Sequence, residues 1–232
     1  MNFKRLQEQA YDHLREMVLG GEFNLDEVYS ETSIAKKLGI SRTPIRDALQ
    51  RLSHDGLIDI MPSKGFRVHA LTYKDIVEIY QMRCAVEGYC ARLIAEHRTS
   101  PAAQRALSGM SDLLMEQKRL NDVHAPVEQL VELDYTFHTQ IISFSENQVF
   151  TEIYSNQMYR MRIITFEGQE REKRRASSLE EHIRLVDTLL HDDADAAYAS
   201  VIAHYQNMID ATRIATFHPQ LAKEVQSAAA FR

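Results

Sequence analysis

Apolar residues recur at helical spacing through almost every segment after Thr72, whereas the stretch before it changes period twice. In Ser41-Arg42-Thr43-Pro44-Ile45-Arg46-Asp47-Ala48-Leu49-Gln50-Arg51-Leu52, the residues Ile45, Ala48, Leu49 and Leu52 share one helical face, and Arg42, Thr43 and Arg46 lie at the exposed N-terminal end. Upstream, Ser30 is placed to cap a short helix with Ile34, Ala35 and Leu38 on its apolar face, and Gly39 stands where a left-handed residue would end it. Only two residues then precede the arginine-bearing helix, which predicts a helix-turn-helix. His54-Asp55-Gly56 stops that helix. Residues 57–61 and 66–70 are rich in β-formers or alternate in polarity, and Pro62-Ser63-Lys64-Gly65 joins them, so a hairpin with Lys64 at its tip is expected. A helix-turn-helix followed by a hairpin is a winged helix.

Beyond Thr72, a candidate N-cap, the pattern Ile76, Ile79, Tyr80, Arg83, Val86, Glu87 runs on towards His97 as one long helix or two continuous ones. Ser100-Pro101 opens another, holding Leu107, Met110, Leu113 and Leu114. Further helices are expected over 126–143, 148–166, 178–191 and 193–217. The predicted fold is mainly α: a winged helix-turn-helix over residues 1–71, then an antiparallel bundle of six or seven helices over 72–232.

Charge separates the same two parts. Between Thr32 and Leu71 seven lysines and arginines face three aspartates, a net of +4, while the whole chain of 232 residues carries −6 and the remainder therefore −10. Positive potential is concentrated where a polyanion would dock, although two arginines on an amphipathic helix are also what an ordinary solvated face shows. No run of 18 apolar residues exists and the N-terminus lacks the apolar core of a signal peptide, so a cytoplasmic chain with no membrane contact is expected. Cys84 and Cys90 lie on one predicted helix with Cα atoms roughly 9 Å apart, too far for a disulfide, and are expected as reduced core residues.

The bundle also carries candidate metal chemistry. Asp134 and His138 stand at i and i+4, and His182 and His204 sit on later helices. Three imidazoles and a carboxylate, if they converge, make a competent site for a divalent first-row metal. Taken singly, a histidine beside a helix core is more often a hydrogen-bonded structural residue.

The run Gly39-Ile40-Ser41-Arg42-Thr43-Pro44-Ile45-Arg46-Asp47-Ala48-Leu49, with Asp55-Gly56-Leu57-Ile58 and Pro62-Ser63-Lys64-Gly65, resembles the N-terminal domain of GntR-family transcriptional regulators. The resemblance implies DNA contacts from Arg42, Thr43 and Arg46, wing-tip contacts from Ser63, Lys64 and Gly65, and a further one at Thr32. It departs in having Asn24-Leu25-Asp26 where the family often has a Pro-Gly turn, and Asp47 where a glutamate is usual. Asp134-Tyr135-Thr136-Phe137-His138-Thr139-Gln140-Ile141, Glu181-His182 and His204 are similar to the metal-site pattern of the FCD effector domain, found in the FadR-like branch. That likeness implies Asp134, His138, His182 and His204 as ligands; three histidines and one carboxylate admit zinc first, with nickel or manganese and added waters as alternatives. The turn Ser143-Phe144-Ser145-Glu146-Asn147 keeps only the asparagine of the usual pattern.

The resemblance further implies a regulator rather than an enzyme. One short recognition helix covers too few base pairs for useful specificity, so a homodimer on a palindromic stretch of double-stranded DNA is expected, and the resemblance implies a repressor released by a small organic or sugar acid bound at the metal. A metal sensor, or a metal-dependent enzyme fused to a DNA-binding domain, are the competing readings. Arg83 is the first candidate for the acid's carboxylate, against the plainer reading of an i,i+4 ion pair with Glu87; Arg160, Arg162 and Asn207 are further candidates. The mixed-charge run at 170–175 reads as a solvated helix end, the Met158, Met161 and Ile164 stripe as core, and 228–232 as a frayed tail.

Overall fold

The computed structural model describes residues 3–19, 22–24, 27–169, 172–191 and 193–214. The chain divides into two units, Met1–Leu71 and Thr72–Arg232. The first contains α1 (Phe3–Leu19), α2 (Glu31–Leu38), α3 (Arg42–His54), β1 (Ile58–Met61) and β2 (Gly65–Val68). Ile45, Ala48, Leu49 and Leu52 are buried as their spacing requires, and each large aliphatic side chain so placed contributes about 1.5–3 kcal/mol. Their partner is α1, an element the sequence expectations leave unassigned, which packs on α3 and supplies Ala10, Leu14, Met17 and Val18 to the same core. Polar contacts fix the pair: Gln7 donates to Asp47, the Tyr11 hydroxyl donates to Asp55 at 2.6 Å, and the Arg51 guanidinium lies 4.0 Å over the Tyr11 ring.

Gly39 ends α2 at φ 65°, in the left-handed conformation the sequence anticipates. Ser30 and Ser41 occupy the N-cap positions in extended backbone, yet neither side chain makes a cap hydrogen bond, which corrects the expected role of Ser30. The two wing strands pair antiparallel from Ile58↔Val68 to Met61↔Gly65. Tyr29 anchors the wing through two backbone hydrogen bonds with Phe66, at 2.7 and 2.9 Å. Gly65 has φ 126°, and a Cβ there would collide with the Tyr29 carbonyl. Gly65→Ala is therefore expected to destabilise the winged unit by about 2 kcal/mol or more in calorimetric unfolding, whereas Gly39→Ala, facing open space, should cost only about 1 kcal/mol.

The second unit contains α4 (Tyr73–Glu96), α5 (Pro101–Asp122), α6 (Val127–Ser143), α7 (Gln148–Gln169), α8 (Glu172–His191) and α9 (Ala194–Ile214). Thr72 and Asp75 form a reciprocal capping box at the start of α4, and Ser100 accepts from the Ala103 amide ahead of Pro101 in α5. The retained Asn147 caps α7, its side-chain oxygen accepting from the amides of Val149 and Phe150 at 3.0 and 3.3 Å. The long helix α4 packs on α6, α7, α8 and α9, so its inner face runs through the middle of the bundle. Met161 and Ile164 are core, and Met158 is partly exposed.

α8 begins before the expected residue 178. The reason is Arg174, which is buried and forms a two-pronged ion pair with Glu181 at 2.8 and 2.9 Å; its part of the 170–175 run is therefore internal, not solvated. Residues 25–26, 170–171, 215–217 and 228–232, on which other expectations fall, lie outside the described residues. Cys84 and Cys90 are free thiols, pushed up to about 11 by burial. Among the described residues no helix is long and apolar enough to cross a membrane.

Candidate functional site

Three histidines from three helices meet inside the bundle: His138 on α6, His182 on α8 and His204 on α9, all buried, with one ligand atom from each within 4.8 Å of the others. Each is held from behind at Nδ1. His138 contacts Glu87 Oε2 at 2.7 Å, His182 contacts Gln117 Oε1 at 2.9 Å, and His204 contacts Glu181 Oε2 at 2.8 Å. With Nδ1–H donating outward, Nε2 keeps its lone pair for the interior. The Nε2 atoms of His138 and His182 are buried and have no hydrogen-bond partner. Asp134 brings Oδ1 to 3.7 Å from His182 Nε2 and 4.0 Å from His138 Nε2, while its Oδ2 accepts from Thr165 at 3.4 Å. Two orphaned imidazole nitrogens around a carboxylate are costly in a closed core, and a divalent cation would satisfy both.

The electrostatics favour neutral imidazoles at His182 and His204. Burial pushes His182 well below its ordinary value, with His204 and His138 adding to the effect; burial also lowers His204, partly offset by Glu181. The supporting carboxylates stay ionised. Burial alone would raise Glu87, but Arg83 and His138 bring it down to about 2, and hydrogen bonds from His204 and Arg174 bring Glu181 to about 2 against the same penalty. Each of these two carboxylates therefore has its own arginine, and Asp134 places a third carboxylate beside the Nε2 atoms of His138 and His182.

Arg83 serves first in this scaffold. Its Nε donates to Glu87 at 2.8 Å, its Nη2 donates to the Tyr154 hydroxyl at 2.7 Å, and its guanidinium stacks 4.7 Å from the Tyr205 ring centre. The i,i+4 ion pair is thus present, and Arg83 also lines a narrow cleft with Asp134, Tyr135, Tyr154, Arg162 and Thr165. That cleft is collapsed, without room for a water-sized sphere. Arg162 pairs with Glu132 and lies 5.3 Å from the Tyr135 ring centre. Arg160 is held by Asp75 and Gln157 at 3.4 and 3.5 Å. Asn207 donates to Glu181 at 3.4 Å, so it braces the support of His204.

Gln117 and Tyr205 are parts of the site that the sequence expectations leave out, while Glu87 enters them only as the partner of Arg83 and Glu181 only beside His182 in the metal-site pattern. Tyr205 donates to Glu87 at 2.7 Å. Their signal was faint but present, since Glu87 falls with Arg83 on a mostly apolar stripe of α4, and Gln117 continues the stripe of Leu107 and Met110 on α5.

In the winged unit, Thr32, Arg42, Arg46, Ser63, Lys64 and Gly65 line one groove of about 270 Å³, together with Ser30, Glu31, Ile60, Met61 and Pro62. Thr43 is exposed on the first turn of α3 but is not among the groove's lining residues. Two arginines and a wing-tip lysine around a concave surface suit a phosphate-lined groove edge.

Residues 78–207 match the FCD domain, and residues 6–68 match the bacterial regulatory proteins of the gntR family. Over 204 residues, 86% of this chain and 87% of the relative, the sequence is 29% identical to the uncharacterized HTH-type transcriptional regulator YdhC of Bacillus subtilis (strain 168). It is 24% identical over 189 residues, 79% of this chain and 78% of the relative, to the HTH-type transcriptional repressor RspR of Escherichia coli (strain K12). The structure of E. coli McbR/YncC shares the fold at a TM-score of 0.63 and 21% identity, over 88% of this chain and 95% of that one.

Proposed function

Since this chain belongs to the gntR family of bacterial regulatory proteins and carries an FCD domain, we propose that it is a metal-containing repressor that a small organic or sugar acid releases from its operator. It is a DNA-binding transcriptional regulator and not an enzyme. The observation that carries the finer reading is the set of three buried histidines, anchored at Nδ1, with two Nε2 atoms orphaned beside Asp134. His138, His182, His204 and Asp134 are the proposed ligands, for zinc first and nickel or manganese as alternatives. A bound ion there supplies a Lewis-acid position that a carboxylate oxygen of the effector can take.

The chain's own residues do the rest. Arg83 and Arg162 line the cleft next to Asp134 and present guanidinium groups to an acid arriving there. Because the cleft is collapsed, admitting the acid requires α4, α6 and α7, which carry its lining, to separate; binding then selects an opened bundle. Coupling of that opening to operator affinity, in a cytoplasmic homodimer on a palindromic site, gives release. Arg42, Thr43, Arg46, Thr32, Ser63, Lys64 and Gly65 are the proposed DNA contacts.

Footprinting of the protein on its own promoter region, with and without chelator and with a panel of small carboxylic acids, tests this. Release by one acid only when metal is present is the expected result. Release by chelator alone would instead make the ion the signal. Within the site, Gln117→Leu should weaken zinc binding about 10- to 100-fold in a competition titration with a chromogenic chelator, because His182 loses its orienting acceptor.

A further inference from the structure

Among the described residues that line the groove of the winged unit, Glu31 is the one carboxylate. It stands in the first turn of α2, and its Oε2 lies 3.5 Å from Nε of Arg46 on α3. The Glu31 side chain is 23% exposed and that of Arg46 58%, so the acid is seated in the groove wall while the arginine reaches past it. A guanidinium has two donor edges, one containing Nε and one formed by Nη1 and Nη2. An acid on the Nε side leaves the second edge, whose spacing matches O6 and N7 of guanine. The same carboxylate repels phosphate oxygens that approach the groove wall.

We propose that Glu31 is a specificity-determining positioning residue, which aims Arg46 at a base edge and opposes its use as a general phosphate clamp. The inference rests on the reading of Arg46 as a DNA contact. An acid that merely favours the N-terminal dipole of α2 would alter thermal stability and leave sequence discrimination unchanged.

The probes are the best duplex the wild-type protein selects from a random-sequence pool and a random-sequence duplex of equal length, with affinities read by fluorescence anisotropy across a salt series. Glu31→Gln keeps the shape and removes the charge. It is expected to lower the selected-to-random affinity ratio about tenfold, the scale of one bidentate base contact, and to tighten random-duplex binding with a salt slope steeper by about one. Glu31→Asp keeps the charge but falls one methylene short, so it should lose discrimination without tightening random binding. If both variants keep the wild-type ratio and slope while Arg46→Ala loses discrimination, the role of Glu31 is overturned and base reading by Arg46 stands. If Arg46→Ala itself discriminates as well as wild type, Arg46 reads no base and the role of Glu31 falls with it.

Discussion

Replacing Arg83 by leucine should destabilise the helical unit by about 3–5 kcal/mol, the cost of stranding one member of a buried ion pair. Glu87 has no access to solvent, and Arg83 is the cation that holds its carboxyl near 2 despite burial. Leucine fills part of the space but leaves Glu87 charged among the Tyr205 hydroxyl, His138 and apolar walls. The double variant Arg83→Leu, Glu87→Gln should be more stable than Arg83→Leu alone, because a glutamine oxygen still accepts from Tyr205 and His138 without stranding a charge. Calorimetry on the three proteins decides. A single variant as stable as wild type would mean that Arg83 is not a structural member of the site and is free to serve a ligand.

Zinc is expected to raise the stability of the chelator-stripped protein by about 4 kcal/mol at a free concentration a thousandfold above its dissociation constant. For a unit of this size each kcal/mol moves the midpoint by about 2–4 °C, so a shift on the order of 10 °C should be seen by scanning calorimetry. His138→Ala and His182→Ala each create a cavity and lower the baseline. The informative quantity is therefore the difference with and without zinc within each variant, which cancels the cavity cost. That difference should vanish in both. Its survival in either would place the ion elsewhere on the chain.

Much of this arrangement was legible in residue spacing. The period-3.6 stripes marked α3 and the bundle helices, Gly39 marked the end of α2, and Thr72 and Ser100-Pro101 marked the starts of α4 and α5, because caps and apolar faces are local signals. α1 carries the same local signal, with Ala10, Leu14, Met17 and Val18 at three- and four-residue steps, and the sequence expectations leave it unassigned all the same. The early start of α8 was hidden because a charged run reads as solvated until Glu181 is seen two turns away, accepting both prongs of Arg174. The four proposed ligands were visible as residue types, and their approach in space depended on the packing of three helices, with His138 and His182 44 positions apart and His182 and His204 22 apart. Glu87, Gln117 and Glu181 were not separable from ordinary helix polar residues, because what distinguishes them is which imidazole each faces. Arg83 and Glu87 carried both readings at once, ion pair and ligand contact, and spacing alone favours neither.

Metal stoichiometry tests the central claim most directly. Chelator-stripped protein dialysed against buffered zinc, nickel or manganese, with the ion counted by mass spectrometry, should hold about one ion per chain for the best of the three metals. The variant with His138, His182 and His204 all replaced by alanine should hold none at the same free metal concentration. Wild-type protein that takes up none of the three ions, or a triple variant that takes up as much as wild type, would contradict it.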